Sequence, residues 1–227
     1  MSLLKAFLDL LFPPKCPFCG RVLDKLGICP KCEKDLPWIE GREGLREGAG
    51  GLRCAGAVWY EELAREGLLR LKFQGASAAA EPMGELVARC AAEWFSGEFD
   101  TVTWVPVSKK RLRKRGYDQA ELLARAACRR WDTQPVRLLE KVVDNPAQSG
   151  IHDAAARRAN VLGVYDPVGD IAGKRILLVD DICTTGATLT ECIRVLKDAG
   201  AESVVCTVVA LAREKETSEK VHKQGEK

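Results

Sequence analysis

The stretch Arg175–Leu189, RILLVDDICTTGATL, constrains this chain more than any other. Ile176 to Val179 is a continuous aliphatic run, the pattern of a short strand buried on both faces of a parallel sheet. Asp180 and Asp181 fall where that strand is expected to end. Thr184, Thr185, Gly186, Ala187 and Thr188 follow as a tight turn of small and hydroxylated residues. Leu189 to Ala199 then carries helical periodicity through Leu189, Ile193 and Leu196, with Gly200 as a left-handed stop. Strand, turn and helix in this order aim several backbone N–H groups and a positive helix end at one point, which suits a phosphate. Gly186 lets the backbone come close to it. Two carboxylates on the same phosphate would repel it, so the acidic pair suits hydroxyl groups, with or without Mg2+. A phosphate and a diol side by side describe a ribose 5-phosphate. The competing reading is an ordinary strand–turn–helix with an acidic turn.

At 227 residues and 46% apolar content, the chain can bury one ordinary domain and carry a small module. A formal charge of +3, from 35 basic and 32 acidic residues, argues against a general nucleic-acid binder and makes any cationic function local. Met1 to Phe12 lacks a small-residue cleavage site, is interrupted by Lys5 and Asp9, and is too short to span a bilayer. Its Leu4, Phe7, Leu8 and Leu11 share one helical face, which either packs on this chain or docks to a membrane or partner. The expectation is a cytoplasmic protein that is not integral to a membrane.

Ten cysteines are many for such a chain, and four of them form the pairs Cys16/Cys19 and Cys29/Cys32. Each C-x-x-C can chelate one ion through a tight knuckle, and Gly20 suits the turn that bends backbone N–H groups toward sulfur. Two such pairs make a closed tetrahedral site of four thiolates, which leaves no open position for catalysis. A structural Zn2+ fits best; a rubredoxin-like iron and a metal-free redox pair are the alternatives. A secreted disulfide framework does not fit a chain with this much core.

Glu33 to Arg53, with GREGLREGAGG, reads as a flexible connection. The domain boundaries expected are 1–50 for the N-terminal helix and ribbon, 51–213 for an α/β domain, and 214–227 for a charged tail. Within the larger domain the patterns give strands over Ala57–Tyr60, Thr101–Val107, Val136–Leu139, Asn160–Tyr165 and Ser203–Leu211. Helices are expected over Glu61–Phe73, Ser77–Phe95 and Asp118–Trp131, with Asp118 as N-cap. Lys109, Lys110, Arg111, Arg113, Lys114 and Arg115 place six cations in seven residues directly after a sheet strand. Ligands of open α/β sheets bind at strand carboxyl ends. The cluster therefore reads as a site for pyrophosphate, with single-stranded nucleic acid or a solvated surface as alternatives. His152, in the polar stretch Val143–Ala159, has nothing in sequence to mark it as a general base.

VDDICTTGAT resembles the phosphoribosyl-diphosphate (PRPP) signature of type I phosphoribosyltransferases. The resemblance assigns Asp180 and Asp181 to the ribose hydroxyls and Thr184, Thr185, Gly186, Ala187 and Thr188 to the 5-phosphate. It implies a parallel-sheet, Rossmann-like α/β fold, and makes the run containing Lys109, Lys110, Arg111 and Arg115 the pyrophosphate loop. Over nearly its full length the chain resembles the ComF family, which joins a small zinc ribbon to this fold. The match is carried by Cys16, Cys19, Cys29, Cys32, Leu71-Lys72-Phe73, Arg115 to Ala124, Gln148, Arg157, Asn160-Val161, the signature, and Leu211-Ala212-Arg213. The chain departs from the family in offering Cys54 alone where many relatives have a further C-x-x-C pair. Asp118 also stands where Asn is common, and the strand before the basic run lacks a second Pro-Leu. The resemblance implies phosphoribosyl transfer from PRPP with Mg2+ and release of pyrophosphate, and a link to natural competence. A PRPP-sensing module without turnover, and an adaptor for single-stranded DNA and DNA-uptake proteins, are the alternatives.

Overall fold

The computed structural model of the chain describes residues 13–73, 77–144 and 162–213. The expected N-terminal helix over Met1–Phe12, the stretch holding Gln148, His152, Arg157 and Asn160-Val161, and the tail over 214–227 lie outside the described residues. Helices α1 (Pro30–Asp35), α2 (Glu62–Phe73), α3 (Ser77–Trp94), α4 (Lys109–Arg115), α5 (Gln119–Cys128) and α6 (Ala187–Asp198) surround seven strands. These are β1 (Leu45–Gly48), β2 (Leu52–Trp59), β3 (Thr101–Trp104), β4 (Leu139–Lys141), β5 (Tyr165–Pro167), β6 (Arg175–Cys183) and β7 (Ser203–Leu211).

Five strands form one sheet in the order β1-β2-β7-β6-β3, and β4 pairs β5 in a separate two-stranded ribbon. β2, β7, β6 and β3 are parallel, while β1 runs antiparallel to β2 along the edge. The aliphatic runs of β6 and β7 are buried on both faces, as a helix-covered parallel sheet requires. One face carries Ala55, Leu177, Val179 and Val205 against α2, α3 and α5. The other carries Cys54, Ile176, Leu178 and Cys206 against α6 and the β4–β5 ribbon. The two-residue alternation breaks near the carboxyl ends, since consecutive Val209 and Ala210 both join the first face. The register of β6 on β7 is nevertheless the same on either side, from Asp180↔Val208 to Ile182↔Ala210.

Several expectations change. β6 does not end before the acidic pair but continues through Asp180 and Asp181 to Cys183. The segment expected to be a flexible connection contains the end of α1, two 3-10 turns and β1, whose Arg46 lies opposite Cys54. Backbone pairing to β2 gives this glycine-rich stretch the partners its composition does not advertise. The basic run is a helix, not a loop: Ser108 caps it by accepting from the Arg111 N–H, and Gly116, at φ 82°, ends it in the left-handed region. β3 stops at Trp104, and β4 and β5 cover fewer and later residues than the patterns suggest.

α3 packs against α5 at Gly84, where a Cβ would lie 2.8 Å from the Leu123 carbonyl oxygen and also meet the Ala126 methyl. Backbone atoms cannot swing aside as a long side chain can. Gly84→Ala is therefore expected to destabilise the fold by about 1–3 kcal/mol, the usual penalty of overpacking. Urea denaturation checks this; an unchanged midpoint would mean that the two helices part freely.

Candidate functional site

The sheet register brings the two sequence features together. Trp104 of β3 lies opposite Val179 of β6, and the Val105 N–H donates to the Val179 carbonyl at 3.0 Å. The chain that becomes α4 thus leaves the sheet beside Asp180 and Asp181, although about seventy residues separate them in sequence. Asp118, the N-cap of α5, ties the intervening turn. One of its carboxylate oxygens accepts from the N–H groups of Ala120 and Glu121, and the other from the Val107 N–H at 2.8 Å. Both oxygens accept, which is a physical reason for Asp at this position. Burial pushes its pKa up to about 6 against those hydrogen bonds.

Asp180 and Asp181 are both buried, with 8% and 5% of their surface exposed. Asp180 Oδ1 accepts from the Asp181 N–H at 2.8 Å. Asp181 Oδ2 is 2.6 Å from Lys72 Nζ, at the end of α2. Burial, reinforced by the charge of Asp181, pushes the Asp180 carboxyl well above the usual carboxylate range. For Lys72, burial favours the neutral amine, but the Asp181 carboxylate outweighs it and raises the pKa. Asp180 Oδ1 and Asp181 Oδ2 thus already face partners within the chain, which leaves one oxygen of each carboxylate for a ligand and too few for a near-octahedral Mg2+ held by this pair alone.

Lys72 also lines a cleft of about 420 Å³ with Phe73, Arg111, Lys114, Arg115 and Tyr117. The Arg115 guanidinium lies 5.2 Å from the centre of the Phe73 ring, and the Tyr117 hydroxyl donates to the Leu71 carbonyl at 2.9 Å. Of the four residues expected to meet pyrophosphate, Arg111 and Arg115 reach this cleft. Lys109 and Lys110, largely exposed, approach Glu140 and Asp144 at 3.5 and 3.6 Å, and Arg111 also approaches Asp144, at 3.9 Å. Lys114 joins the cleft where sequence spacing alone did not single it out. Lys72 appears in the sequence as part of Leu71-Lys72-Phe73, but only the fold puts it against Asp181. The β4–β5 ribbon adds Lys141, whose ammonium is 5.3 Å from the centre of the Tyr165 ring and whose pKa is lowered by burial and then by Arg111.

Thr184, Thr185 and Gly186 form the turn between β6 and α6, and Ala187 and Thr188 open the helix. Gly186 adopts φ 75°, and a Cβ there would come within 2.5 Å of Leu52 Cδ2, so glycine is required twice over. The Ala187 N–H approaches Thr185 Oγ1 at 3.4 Å. Arg46 holds the outer side of the turn by donating to the carbonyls of Thr184 at 2.7 Å, Cys183 at 3.3 Å, and Ala212. This role was invisible in sequence, because Arg46 lies in the stretch expected to be a linker. A guanidinium that takes the carbonyls of the turn fixes the backbone whose amides open α6.

In the N-terminal module, the sulfur atoms of Cys16, Cys19, Cys29 and Cys32 all lie within 4.8 Å of one another. Cys19 Sγ and Cys29 Sγ are 3.7 Å apart, close to the edge of a tetrahedron with metal–sulfur bonds of about 2.3 Å. Backbone amides already serve the sulfurs: the Cys32 N–H approaches Cys29 Sγ at 3.4 Å and helps lower that thiol to about 7 against the effect of burial. The ribbon does not stand apart from the sheet domain. Phe18 is fully buried against Gly67 of α2, where a Cβ would lie 2.6 Å from the Phe18 ring and 3.1 Å from its Cα. Arg70 of the same helix donates to the Phe18 carbonyl.

The model of the phosphoribosyl transferase domain family matches residues 113–226, and that of the double zinc ribbon domain matches residues 7–43. Competence protein ComFC of Bacillus subtilis (strain 168) is 28% identical over 84% of this chain and 74% of its own length. The corresponding protein of Streptococcus pneumoniae (strain ATCC BAA-255 / R6) is 27% identical over 83% of this chain and 84% of its own. The DNA utilization protein YhgH of Escherichia coli O6:H1 is 28% identical over 46% of each chain. Residues 7–43 contain the four clustered cysteines and no others, which is enough for one ion. Elemental analysis is expected to find one zinc per chain, and a strong chelator to lower the melting temperature by releasing Phe18 from Gly67. Retention of the full melting temperature after zinc is stripped would contradict that role. Fold, signature and the two matched models converge: the chain belongs to the phosphoribosyl transferase domain family, in the ComF-type combination with an N-terminal zinc ribbon.

Proposed function

We propose that the chain binds PRPP at the carboxyl edge of β6 and β3 and transfers its phosphoribosyl group with release of pyrophosphate. The observation that carries this reading is the Lys72–Asp181 contact of 2.6 Å, because it joins the acidic pair to the cationic cleft. In this reading Asp180 and Asp181 hold the ribose hydroxyls. The turn and helix start at Thr184, Thr185, Gly186, Ala187 and Thr188 hold the 5-phosphate, supported from behind by Arg46. Arg111, Lys114 and Arg115 receive the pyrophosphate. Lys109 and Lys110, outside the cleft lining, contribute to the local positive potential.

The reaction needs no protein nucleophile. The bond between the anomeric carbon and the pyrophosphate oxygen breaks with its electron pair leaving on pyrophosphate, and an acceptor's lone pair closes the new bond. Positive charge develops on the ring beside the carboxylates while negative charge gathers on the leaving group beside the guanidinium groups. Fixed charges of the right sign at both ends favour that separation over the ground state. Mg2+, if it accompanies PRPP, would supply charge neutralisation at the pyrophosphate, while Asp180 and Asp181 would face the ribose. The names of the relatives suggest that the activity serves DNA uptake or utilization. Among the described residues no helix is long and apolar enough to cross a membrane, which is compatible with the cytoplasmic placement proposed here.

A thermal-shift titration with PRPP and Mg2+ tests the ligand. Binding to the folded state alone stabilises it by about 2.7 kcal/mol at a hundredfold excess over the dissociation constant. Asp180→Asn, which keeps the volume but removes the charge, is expected to lose most of that shift. No shift with wild type would remove the reading. A shift without pyrophosphate release, across nucleobase and amine acceptors, would leave a sensor rather than an enzyme.

A further inference from the structure

Two neighbouring carboxylates buried at one strand end need a counter-ion, and Lys72 already supplies it. Its ammonium carries three N–H donors and lies 2.6 Å from Asp181 Oδ2 as an ion pair, and that buried oxygen has no hydrogen-bond donor among the described residues. The same side chain forms part of the wall of the 420 Å³ cleft with Arg111, Lys114 and Arg115. The residue before it is anchored, because Leu71 is fully buried and the Tyr117 hydroxyl donates to the Leu71 carbonyl. A side chain kept for packing alone would not pay the desolvation cost of an ammonium. An ammonium fixed between a carboxylate and an anion-sized cleft is placed to touch both the acidic pair and whatever negative group fills the cleft.

We propose that Lys72 is a ligand-binding residue that acts as a built-in monovalent cation at the acidic pair, so that an anionic sugar phosphate binds there without a divalent ion. The inference rests on the sugar-phosphate reading of the site. It differs from that reading in assigning to this chain's own ammonium the neutralising role that Mg2+ would otherwise hold between Asp181 and the ligand. Lys72 bridges the diol end of the ligand and its pyrophosphate end, and Mg2+ tightens binding only through its own association with pyrophosphate.

Calorimetric titration of the full chain with PRPP, once in EDTA and once in Mg2+, tests this with the wild type, Lys72→Arg and Lys72→Gln. Glutamine keeps a donor for Asp181 but removes the charge; arginine keeps the charge. Wild type is expected to bind in EDTA. Lys72→Gln should bind at least about tenfold more weakly there, the worth of one charge-assisted hydrogen bond, and Lys72→Arg should recover most of the loss. Mg2+ should narrow the gap between Lys72→Gln and wild type. A purely packing role would make the two substitutions equally harmful in both media. Equal binding of Lys72→Gln and wild type in EDTA would overturn the proposal, and so would a wild type that binds only with Mg2+. Absence of binding in both media would overturn the underlying sugar-phosphate reading as well. If near-ultraviolet circular dichroism shows Lys72→Gln unfolded, binding of the wild type in EDTA and its retention by Lys72→Arg decide the matter.

Discussion

The arrangement of this molecule depends on one ion pair, Lys72 with Asp181. Two adjacent carboxylates cannot be sequestered at the end of a sheet strand without a nearby cation, since an unpaired buried charge costs several kcal/mol. The cation comes from the far end of a helix that begins after β2, so the pair fastens α2 to β6 across the first core face. It also sets the polarity of the site, with acids on the sheet edge and a row of guanidinium and ammonium groups opposite. Burial and the neighbouring Asp181 hold the Asp180 carboxyl well above the usual carboxylate range.

The same helix explains why a zinc ribbon accompanies this fold. Phe18 inserts at Gly67 and Arg70 holds the Phe18 carbonyl, five and two residues before Lys72 along the same element. The metal cluster therefore steadies α2 near the point where it presents its ammonium. Its four cysteines and Phe18 belong to the same core as Ala64, Leu68 and Leu71, so the ribbon shares a core with the sheet domain instead of building its own. On the opposite edge, Arg46 of β1 does comparable work for the turn between β6 and α6 by holding its carbonyls. A strand that begins just after the ribbon thus reaches the proposed phosphate cradle from behind.

Much of this was legible in the sequence because local patterns were strong. The aliphatic run of β6, the periodicity of α6 and the capping residue Asp118 each act within a few neighbours, and each element formed where expected. Paired C-x-x-C spacing was equally direct, because four thiolates meet around an ion with little help from the rest of the chain. What escaped were features fixed by distant partners. β1 exists because Leu45–Gly48 finds the edge of β2, which a glycine-rich composition conceals. The basic run forms a helix because Ser108 and Gly116 cap it, a signal masked by its charge. Lys72 and Arg46 acquire their roles from a carboxylate and from backbone carbonyls more than a hundred residues away, and no spacing rule in a single sequence reports such contacts.

The central claim is that the acidic pair, the threonine turn and the cationic cleft form one site for one sugar phosphate. A crystal structure with PRPP tests it most directly. The account predicts ribose hydroxyls within about 3 Å of the Asp180 and Asp181 carboxylates, the 5-phosphate on the amides of Thr184–Thr188, and pyrophosphate beside Lys72, Arg111 and Arg115. PRPP bound elsewhere, with the Lys72–Asp181 pair turned away from it, would contradict the account.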